Sequence, residues 1–512
     1  MRNWQSTCTV AALAGDSFDD KAAAIDALGA GGDPHAIPVL KALTEGRLAV
    51  DAGQRVLIVD ETNHYADALS GEPVVPGDEP GRIRVNNRLR VLIDGALSRL
   101  TLFSDQPSDR LAAAVEALRR PSAEGAPGLE KALAAERDET VKPALAMALA
   151  AARLQSPDAA VRLAAIGQLE QSSDPEVRRL LGAVAAEGDA DPRVAAAAAA
   201  ALKKIERQLA LIDIGVNLFQ GLSLGSVLLL AAIGLAITFG VMGVINMAHG
   251  EMIMLGAYTT YVVQQMFRAF VPAGWFDLYL IVSVPAAFLV AGLIGVALER
   301  TIIRFLYGRP LETLLATWGI SLILQQAVRS IFGAPNKEVA NPSWMTGGFE
   351  ILGGFTVTWN RLVIIGFSFV VLGLLVLLLQ RTSLGLHMRA VTQNRRMASV
   401  MGIPTDWVDA LTFGLGSGIA GIAGVALSQI GNVSPNLGTS YILDSFMVVV
   451  FGGVGSLVGT LTGAFGLGIL NKLLEPFAGA VLGKILVLVG IIVFIQFRPR
   501  GLFALKGRSV EA

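Results

Sequence analysis

RTSLGLHMRAVTQNRRMASVMGIP, residues 381–404, is the longest polar interruption in a half of the chain that otherwise reads as membrane. Four arginines (Arg381, Arg389, Arg395 and Arg396) stand there with no acidic residue before Asp406. Ala390, Asn394, Met397 and Met401 recur at i, i+4, i+7 and i+11, which places them on one face of a short helix. Gly402 suits the C-terminus of that helix, and Pro404 forbids its continuation. A basic helix between apolar spans cannot lie in lipid. It is expected on the cytoplasmic side, where a partner can grip it.

Outward from this stretch, the spans come into view. A hydrocarbon core takes roughly 20 apolar residues in helix. Segments that meet or approach this length are 215–241, 251–270, 278–298, 311–332, 362–379, 407–430, 456–474 and 479–497. The apolar run 441–451 is shorter and ends in FGGVGS at 451–456, whose glycines break a helix. A half-helix that enters and turns back is the expectation there. Arg300, Arg304 and Arg309, the opening stretch, and Arg498, Arg500, Lys506 and Arg508 mark the cytoplasmic loops. The stretches 334–360 and 431–440 hold Lys337 as their only basic residue and are expected outside.

Composition agrees. Hydrophobic residues make up 53% of the 512 and charged residues 16%, too few charges for a soluble protein of this size. Residues 211–512 carry 17 basic and 12 acidic side chains, whereas residues 1–210 carry 24 and 30, so two different objects are joined. Cys8 is the only cysteine, and the histidines (His35, His64, His249 and His387) are scattered. Neither a disulfide nor a metal or cofactor site is expected.

The first object, residues 16–208 behind a short tail at 1–15, reads as an α-helical, HEAT-like repeat extension. Asp33-Pro34, Ser156-Pro157-Asp158, Asp174-Pro175 and Asp191-Pro192 each begin an apolar-periodic segment. An Asp or Ser cap satisfies an orphan N–H, and proline pre-sets φ for the first turn. Such helices bury their faces against neighbouring repeats. Residues 53–92 interrupt the pattern, and a hairpin or long ordered loop is expected. Span parity puts this extension outside the cell. Lys203, Lys204 and Arg207 beside the first span, and the lack of a legible targeting signal in 1–15, point the other way.

The second object, residues 209–503 followed by a cytoplasmic tail at 504–512, is all-α. About eight spans and one re-entrant half-helix are expected. Glycines recur inside it, as in GLGSGIAGIAG at 414–424 and GTLTGAFGLG at 459–468, where they let helix backbones approach closely. VINMAHG at 244–250 breaks the first two spans apart and leaves Asn246, His249 and Glu251 at membrane depth. Ionisable groups there cost about 2.5–3.5 kcal/mol, so they line an aqueous path or meet a partner. A structural hydrogen bond tying two breaks together is the competing reading for Asn246 and His249. Asp444 carries the same argument, and Thr317, Gln325, Gln326 and Ser417 add neutral polar groups. A path furnished with amides and hydroxyls suits a small, uncharged, hydrogen-bonding solute.

No catalytic constellation emerges. GAVLGKI at 479–485 is one residue short of a phosphate loop between its glycines and lacks the hydroxyl after lysine. The basic residues are too few and too scattered over loops for nucleic-acid binding.

VMGVINMAHGEMIMLGAY (241–258), ER…RPLETLLATWGISLILQQ (299–326), RTSLGLHMRA…MGI (381–403), FGGVGSLVGTLTGAFGLG (451–468) and RPRGLF (498–503) resemble the branched-chain amino-acid permease family of ABC importers. The extension, including NNRLRVLIDGALSRLTLFS (86–104), together with DSFMVVVFGGVGS (444–456), is similar to the urea-type permeases of that family. The resemblance implies a bacterial inner-membrane subunit that passes urea or a short amide. An external solute-binding protein would deliver the solute, a second homologous permease would pair with this chain, and two ATPase subunits would drive the cycle. It further implies that 381–404 is the coupling helix. Met397 and Met401 would enter the ATPase, Arg389, Arg395 and Arg396 would form a charged rim, and Gly402 would make the turn back. The alternatives are a branched-chain amino-acid permease of the same build, a membrane-anchored scaffold or sensor, and a passive channel.

Overall fold

The computed structural model describes residues 10–15, 17–31, 36–51, 53–60, 64–68, 70–76, 80–187, 191–352 and 355–503. The helix start at Asp33-Pro34, the tail 504–512 and Cys8 lie outside them. The chain divides into two compact units, Met1–Ala210 and Leu211–Ala512.

In the first unit, α1 (Phe18–Gly31) and α2 (Ala36–Thr44) precede β1 (Leu48–Val50), β2 (Val56–Val59), β3 (Tyr65–Asp67), β4 (Pro73–Val74) and β5 (Gly81–Arg82). These make one antiparallel sheet in the order β4-β3-β2-β1-β5. The interruption at 53–92 is thus more than a hairpin. Its strands are two to four residues long, too short to show alternation. What holds them is a shared core, in which Leu48, Val56 and Ile83 join Ile25, Leu40 and Ile93.

The helices α3 (Asn87–Thr101), α4 (Pro107–Arg119), α5 (Ala126–Ala135), α6 (Val141–Arg153), α7 (Ala159–Leu169) and α8 (Pro175–Glu187) follow. From Leu102 onward a second core forms around Leu145, Leu169 and Leu181. Asp174 and Asp191 accept the Glu176 and Arg193 N–H groups at 2.8 and 2.9 Å, each with proline between, as expected. At 156–158 the cap is Asp158, which takes the Ala160 N–H at 2.9 Å. Pro157 therefore precedes the cap, because the carboxylate one residue on displaces the Ser156 hydroxyl from that role. One tie recurs. Arg110 donates to the Ser104 and Asp105 carbonyls at 2.8 and 3.2 Å, and Arg162 to those of Ser156 and Pro157 at 2.8 and 3.0 Å. Arg110 also grips Glu136 through two bonds of 2.7 and 2.8 Å, and this contact, first among its causes, holds that carboxyl down to about 2.

The second unit is a helical bundle. Its elements are α9 (Pro192–Met242, which begins in the first unit), α10 (His249–Phe270), α11 (Tyr279–Thr301), α12 (Pro310–Phe332), α13 (Trp359–Arg381), α14 (Ser383–Gln393), α15 (Arg395–Val400), α16 (Thr405–Ser428), α17 (Leu437–Gly452) and α18 (Leu457–Phe497). A strand pair, β6 (Gly348–Leu352) and β7 (Phe355–Thr358), lies in the loop before α13. Among the described residues six of these helices are long and apolar enough to cross a membrane. One of the six, α18, is broken at Gly479, where φ is 77° and ψ 165°. The chain reverses there, since a Cβ on Gly483 would stand 3.7 Å from Asn471 Oδ1 and 3.8 Å from Leu474 Cβ. Both spans expected at 456–497 are therefore present. The span expected at 251–270 is α10, whose His249, Glu251 and Gln264 lower its hydropathy and are buried inside the bundle. The run 441–451 lies in α17, a 16-residue helix below span length.

Helix α16 is the centre of this unit, with nearly every residue from Val408 to Ser428 buried. A Cβ on Gly416 would stand 2.6 Å from the Gly234 carbonyl of α9. One on Gly421 would stand 2.5 Å from the Ala287 carbonyl of α11, and one on Gly424 2.0 Å from the Ile253 carbonyl of α10. Three helices thus touch α16 backbone to backbone, and dispersion over those seams replaces the hydrophobic effect that lipid cannot supply.

Gly421→Ala is expected to destabilise the unit by about 1–3 kcal/mol, the usual overpacking cost. Gly366→Ala on α13, where a Cβ meets nothing within 4 Å, is expected to be neutral or stabilising. Melting of the two variants in detergent checks this, and equal melting would remove α16 from its central position.

Candidate functional site

Helix α12 carries a polar side chain at every fourth position: Thr313, Thr317, Ser321, Gln325 and Arg329. Each lies about one turn above the last, so they form a stripe that winds slowly round the helix over a rise of about 24 Å, most of a bilayer core. Two breaks in the bundle lie against the stripe.

The first break follows α9. Gly243 turns the chain at φ 69°, and residues 243–248 are not helical. The Met247 N–H donates to Thr317 Oγ1 at 3.1 Å, and Asn246 Oδ1 accepts the Ala248 N–H at 3.0 Å. His249 Nε2 lies 2.9 Å from the Ala231 carbonyl. A carbonyl only accepts, so Nε2 carries the proton and Nδ1 is left an acceptor. Glu251 Oε1 accepts Ser321 Oγ at 2.9 Å and Gln325 Nε2 at 2.8 Å.

The second break is the extended arm before α17. Lys337 and Val433 exchange backbone bonds of 2.8 Å. The chain then bends inward, where Asn436 accepts from Arg329 and Thr439 Oγ1 accepts Gln325 Nε2 at 3.1 Å. The heads of α10 and α17 meet directly. A Cβ on Gly250 would stand 2.5 Å from the Gly438 carbonyl, and one on Gly438 2.4 Å from the Gly250 carbonyl. No side chain fits between them.

Three buried residues at this junction keep a polar atom without a partner: Asn246 Nδ2, His249 Nδ1 and Glu251 Oε2. They are 1%, 0% and 1% exposed. A donor, an acceptor and half a carboxylate are thus withheld from water with capacity to spare, which is costly unless something visits them.

Five of the expected path residues are therefore brought together: Asn246, His249, Glu251, Thr317 and Gln325. Three lie elsewhere. Gln326 is exposed on the other side of α12. Ser417 is buried against Gly295 of α11, and Asp444 pairs with Lys484 at 3.0 Å. Ser321, Thr439 and Arg329 were missed, although the fourfold spacing of α12 was readable.

At the end of the bundle that gathers the loop arginines, the single helix expected over 390–401 is two helices. Asn394 has φ −154° and ψ 100°, and its side chain caps the Met397 N–H at 3.0 Å. A short amide that bonds its own backbone has displaced helix continuation. Gly402, at φ 84°, ends α15 in a Schellman arrangement, with Ile403 N–H on the Ala398 carbonyl and Gly402 N–H on that of Ser399, both 3.1 Å. Met397, Val400 and Met401 are 59%, 80% and 78% exposed. Arg396 is exposed too. Arg389 turns back to the Leu379 carbonyl, and Arg395 pairs with buried Asp409.

The profile described as "Branched-chain amino acid transport system / permease component" matches residues 217–495. The high-affinity branched-chain amino acid transport system permease protein BraD of Pseudomonas aeruginosa is 31% identical over 296 residues, 56% of this chain and 94% of that protein. LivH of Escherichia coli K12, described in the same words, is 30% identical over 294 residues, with the same coverage of 56% and 94%. The ribose import permease RbsC of Escherichia coli K12 is 27% identical over 270 residues, 50% of this chain and 77% of that one. No solved structure matches.

A bundle of spans around a buried polar stripe, matched over most of its length, places the chain in a defined class. It belongs to the branched-chain amino acid permease family and is an inner-membrane permease component of an ABC transport system. Such components work with ATPase and binding-protein partners and are transport subunits rather than enzymes.

Adjacent glutamines test the site. Gln325→Leu takes a donor from a buried carboxylate and is expected to cost about 1–3 kcal/mol of stability. Gln326→Leu, on an exposed face, is expected to cost nothing. Thermal melts that do not separate the pair would contradict the geometry given for Glu251.

Proposed function

We propose that the path along α12 carries urea or a comparably small amide from the side of the α12–α13 loop to the arginine-bearing end, which faces the cytoplasm. The observation that carries this is the composition of the junction. A planar amide offers N–H donors to Glu251 Oε2 and His249 Nδ1, and a carbonyl to Asn246 Nδ2. Those are the three atoms left unpartnered. The stripe beside them is hydroxyl and amide from Thr313 to Gln325, with Arg329 at its end. Resemblance of the extension to urea-type permeases supports the same choice.

The coupling reading fits the exposed apolar group Met397, Val400 and Met401 beside Arg396. In this reading they enter a cleft on the ATPase, while the binding protein meets the opposite end. A second permease subunit pairs with this one. The HEAT-like part of the first unit, stitched by its recurring arginine contacts, serves as a docking surface outside the bundle.

The relatives BraD and LivH favour a second reading, a branched-chain amino acid as solute, since their descriptions name that transport system. Uptake into vesicles bearing the complete transporter separates the two. Labelled urea should accumulate with ATP and be displaced by short amides but not by excess leucine. Leucine accumulation that urea leaves untouched would transfer the chain to the second reading.

A further inference from the structure

At the arginine-bearing end, α11, α15 and α16 enclose a cavity of about 160 Å³. Three acids line it: Asp406, which is exposed and pairs with Arg304 at 3.6 Å, and two buried ones from different helices, Glu299 at the end of α11 and Asp409 in the second turn of α16. Glu299 and Asp409 are 2% and 1% exposed. Arg395, the first residue of α15, lines the same cavity. Its guanidinium pairs with Asp409 Oδ2 and lies 4.1 Å over the Tyr307 ring. Arg300 stacks at 4.1 Å over Trp407 and stands 3.9 Å from Glu299, too far for a hydrogen bond.

The network makes fewer bonds than it can. Arg395 Nη1, Asp409 Oδ1, Glu299 Oε2 and Arg300 Nη2 are all buried and without a partner. A guanidinium and a carboxylate normally close a two-bond fork, and here each keeps a free arm. Glu299 is the other buried acid of the same cavity and has an oxygen open. Buried groups left half satisfied on both sides are costly and retain the capacity for a second partner.

The placement of these acids gives the choice a consequence. Glu299 lies one turn beyond Gly295, and Asp409 one turn before Gly414. In the α11–α16 seam Gly295 meets Ser417, and Gly414 meets Gly292. Whatever holds Asp409 therefore sets the first turns of the helix that touches α9 and α10, on which the solute junction is built.

We propose that Arg395 is the positioning residue of the transport cycle. It is bonded to Asp409 in the arrangement seen here and passes to Glu299 when α15 is drawn toward the ATPase. The exchange moves α16 against α11 and so opens or closes the α10–α17 junction. This rests on the reading that Met397, Val400 and Met401 dock the ATPase. A two-state contact whose balance both sites shift is what coupling across the bundle requires.

The experiment uses the complete transporter in vesicles and reads three things: ATPase subunit retained on purification, ATP hydrolysed, and solute taken up. Glu299→Gln is the deciding variant, because Glu299 makes no bond to Arg395 in this structure and a merely structural Arg395–Asp409 pair would not notice it. Uptake per ATP is expected to fall about tenfold, within the range of ordinary coupling energies, with the ATPase retained. Asp409→Asn and Arg395→Gln should do the same, and Arg395→Lys should restore part of the loss by keeping the charge. Normal uptake per ATP in Glu299→Gln overturns the exchange even if Arg395→Gln fails to assemble. Met401→Asp tests the docking reading separately. If it keeps its ATPase, that reading falls, while the Glu299→Gln result still decides the exchange.

Discussion

The rest of the bundle depends on backbone-to-backbone contact along α16. Lipid offers no hydrophobic drive to associate helices, so the stabilisation comes from close packing, and only residues without side chains permit it. Gly416, Gly421 and Gly424 face three different helices. A helix gripped on three sides is nearly rigid within its own turns.

This arrangement buries the beginning of α10 and, at Gly438, one residue of the beginning of α17. A helix start has free N–H groups and is normally placed in water or capped. Here each start abuts the other, and both lie against the polar stripe of α12. The cost of burying Asn246, His249 and Glu251 is partly offset by the bonds from Ala248, Ala231, Ser321 and Gln325. The remainder is uncompensated. Helix heads and broken spans at membrane depth are where transport proteins build their passages, and it is on the unmet capacity at this junction that the proposal of a small hydrogen-bonding solute rests.

Much of this was legible in the sequence because lipid imposes blunt rules. Span length and arginine bias gave the spans and the basic end, and the glycine repeat in 414–424 announced close packing. VINMAHG showed a break because polar and ionisable residues at membrane depth are costly, whether they line a path or tie the break together. What stayed hidden depended on partners distant in sequence. The α12 stripe is readable at fourfold spacing, yet without knowing which face is inside, Gln325 and Gln326 look alike. Arg395 looked like its neighbours Arg389 and Arg396. Only Asp409 turns it inward, and that pairing is a fact of folding. Asn394 fitted a helical face by spacing while its side chain favours capping, and capping prevailed. The strands of the first unit are too short for periodicity to register against the helices around them.

The meeting of the α10 and α17 heads over α12 is either a gate or a fixed strut, and accessibility distinguishes them. Thr439→Cys in a Cys8→Ser background supplies one thiol at the junction, and an impermeant maleimide applied from each side of the membrane reads it. A gate predicts labelling from the outside when the loaded binding protein is present and from the inside during ATP turnover, with transport blocked once the thiol is modified. Transport that continues with Thr439→Cys unlabelled from both sides in every state would contradict it.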